Sequence, residues 1–326
     1  MKRHRNTLYV TTQGSYLSAE GETVIVRVDR EIRMRLPLHL LESVVCFGRV
    51  SCSPFLIGRC AERGIGVSFL TERGRFLARI QGAVSGNVLL RRSQYRLADD
   101  ADASAKLAMA FVGAKVANAR NVLLRVLRDH PLVQSPLSLR AAARCLAADL
   151  RELRTDLALE EVRGVEGNAA KTYFGVFDHL IIAQKSDFAF RSRTRRPPMD
   201  AVNALLSFVY TLLVHDAASA LESVGLDPQV GFLHRDRPGR PSLALDLVEE
   251  LRAFFADRLV LSLINRQQVR RTGFEIRESG SVSMDEETRK TVLVAYQDRK
   301  QEELSHPFLK EKTTVGMLVH LQAMLL

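Results

Sequence analysis

His234 stands in the Gly/Pro-rich stretch GFLHRDRPGRP, and the next residues, SLALDLVEELR, carry Asp246, Glu249 and Glu250. An imidazole with carboxylates is a donor set for a divalent ion: carboxylates suit Mg²⁺, and one imidazole suits Mn²⁺ as well. Wound at 100° per residue, this segment puts Leu247, Val248, Leu251, Phe254 and Phe255 on one arc and Asp246, Glu249 and Glu250 on the opposite one, with Ser242 placed to cap the helix. The acidic arc reads equally well as a solvated face, and a loop histidine as a solvated side chain. What favours chemistry is that the two lie next to each other.

Two further stretches carry charge in a suggestive setting. In VRGVEGNAAKTYF, Glu166 precedes Gly167, a residue that permits close backbone approach, and Ala169, Ala170, Tyr173 and Phe174 continue as a packable helix. A surface glutamate at a helix start is the alternative. In RSRTRRPPMDAVNALLSFVYTLL, the guanidinium groups of Arg191, Arg193, Arg195 and Arg196 precede Pro197 and Pro198, and Asp200 is placed to cap the next helix. Such a cluster suits phosphate, and a solvated charge run is again the alternative. Tyr210 lies further along that helix and on its own reads as core.

The elements that must position these groups fall into two textures. Early on, TVIVRV is β-branched, EIRMRLPL alternates Ile32, Met34, Leu36 and Leu38, and GIGVSFL and GRFLARI flank a turn at Thr71–Gly74. From Lys106 the pattern is helical, with further helices over 136–157, 160–174, 198–224, 242–266 and 285–305. The expected fold class is α+β: a strand-rich domain over 1–93, a linker or first helical entry over 94–105 and an all-α domain over 106–326. From Thr313 an apolar helix is expected, either packed on the core or docked on a partner.

With 326 residues and 46% hydrophobic content, the chain has ample material for two cores. The net charge of +10 points to a phosphate-bearing partner. The basic start MKRHR is followed by polar, strand-like residues, and no uninterrupted apolar run approaches about 18 residues, so a cytoplasmic protein with no membrane partner is expected. Cys46, Cys52, Cys60 and Cys145 show no C-x-x-C spacing and read as buried, reduced thiols.

Four blocks, RGVEGNAAKTYF, RRPPMDAVNALLSFVYTLL, GLDPQVGFLHRDRPGRPSLALDLVEELR and DRLVLSLINR, in this order, resemble the signature of the CRISPR-associated integrase family, the universal nuclease of spacer acquisition. The resemblance is dense over about residues 160–266. It implies a β-rich N-terminal dimerisation domain, a helical catalytic domain and a homodimer that works with the small second acquisition protein on double-stranded DNA, namely the captured fragment and the CRISPR repeat. It also implies Mg²⁺ or Mn²⁺ held by Glu166, His234 and Glu249, with Asp246 as a supporting acid. Tyr210 falls where the family has a tyrosine near the reacting DNA end, and Arg237 and Arg252 fall where it has basic groups beside the metal. The expected activity is metal-dependent cleavage and joining of DNA, by attack of a 3′-hydroxyl on a repeat-boundary phosphate. A structure-selective nuclease for branched or repair intermediates is one alternative, and a non-catalytic basic DNA-binding scaffold is another.

Overall fold

β-Branched runs become two four-stranded sheets in the first part of the chain, and alanine- and leucine-rich segments become helices in the rest. The computed structural model describes residues 6–72, 74, 76–80, 82, 88–131, 133 and 135–326. These fall into two compact units, Met1–Gly86 with Lys300–Met317, and Asn87–Arg299 with Leu318–Leu326. The fold class is α+β.

In the first unit, β1 (Asn6–Val10), β5 (Leu41–Phe47) and β7 (Gly66–Leu70) run parallel, and β8 (Phe76–Ile80) pairs antiparallel with β7. The second sheet has the order β4 (Glu31–Pro37), β3 (Thr23–Val28), β2 (Tyr16–Glu20), β6 (Ser51–Cys52). Helix α1 (Pro54–Glu62) starts where Ser53 Oγ accepts the Leu56 N–H at 3.2 Å. Val10, Val44 and Val67 from one sheet, Leu17 and Val24 from the other, and Leu56 and Cys60 from α1 share one apolar cluster. The alternation expected along EIRMRLPL does form a strand, but β4 is an edge strand, and its Ile32 and Met34 are 43% and 47% exposed. A short hairpin, β11 (Glu303–Ser305) with β12 (Lys312–Thr314), belongs to this unit too.

The thiols of Cys46 and Cys52 lie 3.9 Å apart in this unit, well beyond a disulfide bond, and all four cysteines are free. Cys46 and Cys60 are buried as expected, whereas Cys145 is exposed.

In the second unit the residues expected as a linker or first helical entry, 94–105, are helical. They close α2 (Val88–Asp99) and open α3 (Ala101–Asp129). Alanine has the highest helix propensity, and Asp100 Oδ1 caps α3 by accepting from Asp102 N and Ala103 N at 2.9 and 3.0 Å, so this stretch marks a helix start and not a flexible joint. The long α3 packs against α4 (Pro136–Glu152), α5 (Leu159–Gly175) and α7 (Ser242–Leu251). Helix α6 (Ala201–Val224), capped by Asp200, is buried on most sides, with Leu205, Leu206, Val209 and Leu213 in the core. By length and hydropathy α3 and α6 could cross a membrane, but 61% of the apolar window of α6 is buried inside the fold, as in a core helix.

After α7 the helical path continues through a π turn, Arg252–Asp257, into α8 (Arg258–Asn265). Helix α9 (Glu286–Gln301) comes after a hairpin of β9 (Phe274–Ile276) and β10 (Val282–Met284). From Leu318 on, α10 (Val315–Leu325) belongs to this unit, where His320 Nδ1 lies 3.2 Å from Ser223 Oγ and Gln322 donates to Glu250 Oε2 at 2.9 Å.

Candidate active site

Asp246 is fully buried, yet all of its hydrogen-bonding capacity is used. Oδ2 accepts the N–H groups of Phe232 and Leu233 at 2.7 and 3.0 Å, while Oδ1 accepts the N–H of His234 at 3.0 Å and its ring Nδ1 at 2.6 Å. One carboxylate on α7 thus gathers three successive loop amides and the imidazole. The loop must come very close for this. A Cβ on Gly231 would sit 2.8 Å from the backbone of Ser242 and 2.9 Å from Asp246 Oδ2, so glycine is required there. Arg163 on α5 holds the same loop from the other side, its Nε donating to the Leu233 carbonyl at 2.6 Å. Ser242 does not cap α7 as the sequence suggests: Pro241 is the cap residue, and the Ser242 hydroxyl donates back to the Arg235 carbonyl at 3.2 Å.

A carboxylate can only accept, so the neutral His234 ring carries its proton on Nδ1 and has its lone pair on Nε2. That nitrogen faces Glu249, 3.8 Å from Oε1. A carboxylate that fixes the tautomer of a histidine in this way is the usual support of a metal-ligating imidazole. Glu249 is nearly fully buried, so the acidic arc of α7 faces the interior and the solvated-face reading fails. Burial alone would raise the pKa of Glu249, but Arg252, Lys115 and, when its ring is protonated, His234 outweigh it and hold the carboxyl down at about 2. Arg252 Nη2 lies 3.1 Å from Oε1, one turn along.

Glu166 reaches the same place from α5. The ammonium of Lys115, on α3, contacts Glu166 Oε1 and stands 2.7 Å from Glu249 Oε2. The three expected residues Glu166, His234 and Glu249 are therefore brought together from α5, the loop and α7. Gly167 plays no part in this approach, since a Cβ there would meet nothing within 4 Å.

The donor set fits a divalent ion in type: two carboxylates, one held ionised, and an imidazole with the correct nitrogen free. Among the described residues no three His, Cys, Asp or Glu side chains already stand at a spacing that could hold an ion. Lys115 lies between the two carboxylates of this trio.

Tyr210 is half-buried beside the site, its hydroxyl donating to Asp257 Oδ1 at 2.6 Å. The guanidinium groups of Arg193 and Arg252 lie 5.2 and 5.1 Å from its ring centre, within cation–π range. Arg193 also donates to Asn203 Oδ1 at 2.7 Å and Ser207 Oγ at 3.1 Å, so it is committed inward. Arg191, Arg195, Arg196 and Arg237 are exposed, and Arg195 lines a small pocket with Lys115, Tyr210 and Arg252.

Two members of this constellation are not singled out by sequence patterning, Lys115 and Asp257. Lys115 had a signal: it sits in the stripe Ala108, Val112, Lys115, Ala119, Val122, whose other positions are all buried apolar residues. Asp257 had one as well: at 100° per residue it falls about 20° from Asp246, on the acidic arc with Glu249 and Glu250, and it closes the π turn.

A model of the CRISPR associated protein Cas1 family matches residues 8–298. The chain belongs to the Cas1 family. It is 59% identical over its whole length, and 95% of the relative's, to the CRISPR-associated endonuclease Cas1 1 of Chlorobaculum tepidum. Identity to the CRISPR-associated endonuclease Cas1 2 of Rhodospirillum rubrum is 51%, again over the whole chain and 95% of that protein. A solved Cas1 structure from Thermotoga maritima superposes with a TM-score of 0.81 over 97% of this chain and 94% of that one, and at 22% identity it supports the Cas1 fold.

Asp257 yields a prediction for stability. Burial pushes its carboxyl up to about 6, against the opposing pull of the Tyr210 and Tyr173 hydroxyls and of Arg193 and Arg252. The folded chain therefore keeps a proton there that the unfolded chain loses near pH 4, and the contribution of Asp257 to stability falls as the pH rises from about 4 to about 6, then stays level. In urea melts, Asp257→Asn should remove this slope, so that the stability difference between variant and parent changes over that window and is constant above about pH 7. Parallel curves at every pH would contradict it.

Proposed function

We propose that the chain is a divalent-metal-dependent DNA endonuclease and integrase that inserts DNA fragments into a CRISPR array. The observation that carries this is the His234 ring, oriented by buried Asp246 with Nε2 toward Glu249 and with Glu166 across the same space. Both relatives above 50% identity bear the name endonuclease, which supports a phosphodiester substrate.

Glu166, Glu249 and His234 Nε2 would hold Mg²⁺ or Mn²⁺, and the bound ion would neutralise phosphate charge and ease ionisation of the attacking hydroxyl. The protein's own part is positional. Asp246 selects the Nδ1–H tautomer and fixes the ring's orientation, Arg252 braces Glu249, and Asp257 holds Tyr210 beside the pocket where a DNA end would lie. In the joining step the 3′-oxygen of the fragment forms a bond to a repeat-boundary phosphorus while the repeat strand's P–O bond breaks. The departing 3′-oxygen takes up a proton, so one phosphodiester replaces another. Arg191, Arg195, Arg196 and Arg237, exposed and cationic, would hold the backbone by charge, making binding salt-dependent. Arg193 is turned inward and orients Tyr210 instead.

The assembly would be a homodimer acting in the cytoplasm with the small second acquisition protein. Apolar side chains at the open edge of β4, Ile32 and Met34, support pairing through the first unit.

Two experiments test this reading. A short duplex should be joined to a repeat-bearing supercoiled plasmid in the presence of Mn²⁺ and the small partner, and not in EDTA, with His234→Ala reducing joining by at least about 100-fold. Joining that survives EDTA or the substitution rejects the metal mechanism, and joining that needs neither partner nor repeat favours a nuclease of branched DNA. In sedimentation velocity the parent should run as a dimer and the Ile32→Asp, Met34→Asp variant as a monomer; an unchanged dimer would move the interface elsewhere.

A further inference from the structure

Lys115 occupies the middle of the candidate site. Its ammonium contacts Glu166 Oε1 and lies 2.7 Å from Glu249 Oε2, with only 13% of the side chain exposed. The three partners come from three different helices, α3, α5 and α7, so the pairing is a tertiary feature and no accident of one helical face. Its position on the apolar stripe of α3 points this cation into the interior. Buried carboxylates require a compensating cation, and an ammonium on a four-carbon stem can supply it and can also leave.

Glu166 and Glu249, two of the residues that would hold a divalent ion, are the carboxylates that the ammonium now contacts. Two cations at a few ångströms repel, so they occupy this place in turn. We infer that Lys115 is a displaceable internal counter-ion: it closes the site in the metal-free chain, and metal entry expels it toward the pocket it shares with Arg195 and Tyr210. In that pocket the freed ammonium meets a phosphate of the DNA substrate, so metal loading adds a phosphate-gripping charge to the pocket. This inference rests on the metal site proposed above.

The test uses the 326-residue chain and Mn²⁺ alone. Isothermal titration compares the parent with Lys115→Met and Lys115→Gln, and with His234→Ala and Glu249→Gln as controls. Without a competing ammonium, both Lys115 variants should bind Mn²⁺ at least about tenfold more tightly than the parent, equivalent to about 1.4 kcal/mol, and the controls should bind more weakly. A purely structural lysine would leave affinity unchanged or lower it. A second readout needs no variant: modification of Lys115 by an amine-reactive reagent, followed by mass spectrometry, should be slow in the metal-free parent and faster when Mn²⁺ is added.

If the controls lose Mn²⁺ binding while the Lys115 variants bind no tighter than the parent, the counter-ion role is wrong and the metal site stands. If Mn²⁺ binds the parent and its addition leaves Lys115 labelling unchanged or slower, the displacement is wrong even where a variant fails to fold. If the parent and controls bind Mn²⁺ equally or not at all, the metal site itself is wrong, and this role falls with it.

Discussion

The site depends on one buried carboxylate. Asp246 lies away from water and accepts from three consecutive backbone amides and one imidazole. A buried carboxylate left unpaired would be very costly, and one saturated with donors is rigid. The loop from Gly231 to His234 is therefore tied to α7, and His234 can present only one ring nitrogen to Glu249. The demand reaches back to a single glycine, because any side chain at Gly231 would push the loop off the helix.

Around that fixed point, charges of both signs alternate in a small volume. Lys115 and Arg252 face Glu166 and Glu249, and Arg252 and Arg193 lie over Tyr210, which in turn is anchored on Asp257. Helix α7 and the π turn after it form one continuous helical path that contributes Asp246, Glu249, Arg252 and Asp257. Widened turns of this kind recur at functional sites. The result is an electrostatically balanced interior in which Lys115 and Arg252 offset the buried charge of Glu249.

Much of this was legible in the residues. The two textures of the chain, the helix over 242–266 and the pairing of His234 with the acids of α7 came from periodicity and proximity in sequence, and four ordered blocks pointed to the family. Glu166, some seventy residues away, could be tied to the others only through that resemblance. Periodicity missed the tertiary choices, whether the acidic arc of α7 faced water or core and that Arg193 turned inward while its neighbours stayed exposed, and it left the Ala/Asp-rich run at 94–105 open between a linker and a helical entry. Lys115 was readable only as a charge on an apolar stripe, a signal that gains meaning once its partners on other helices are known.

The most direct test of the account is the protonation of the His234 ring. With histidine labelled at both ring nitrogens, the ¹⁵N spectrum of the metal-free chain, followed to a pH at which the ring is neutral, should show His234 as the Nδ1–H tautomer, with the lone pair on Nε2. Asp246→Asn should abolish that preference. An Nε2–H ring in the parent would leave no lone pair toward Glu249 and would contradict both the tautomer argument and the metal site built on it.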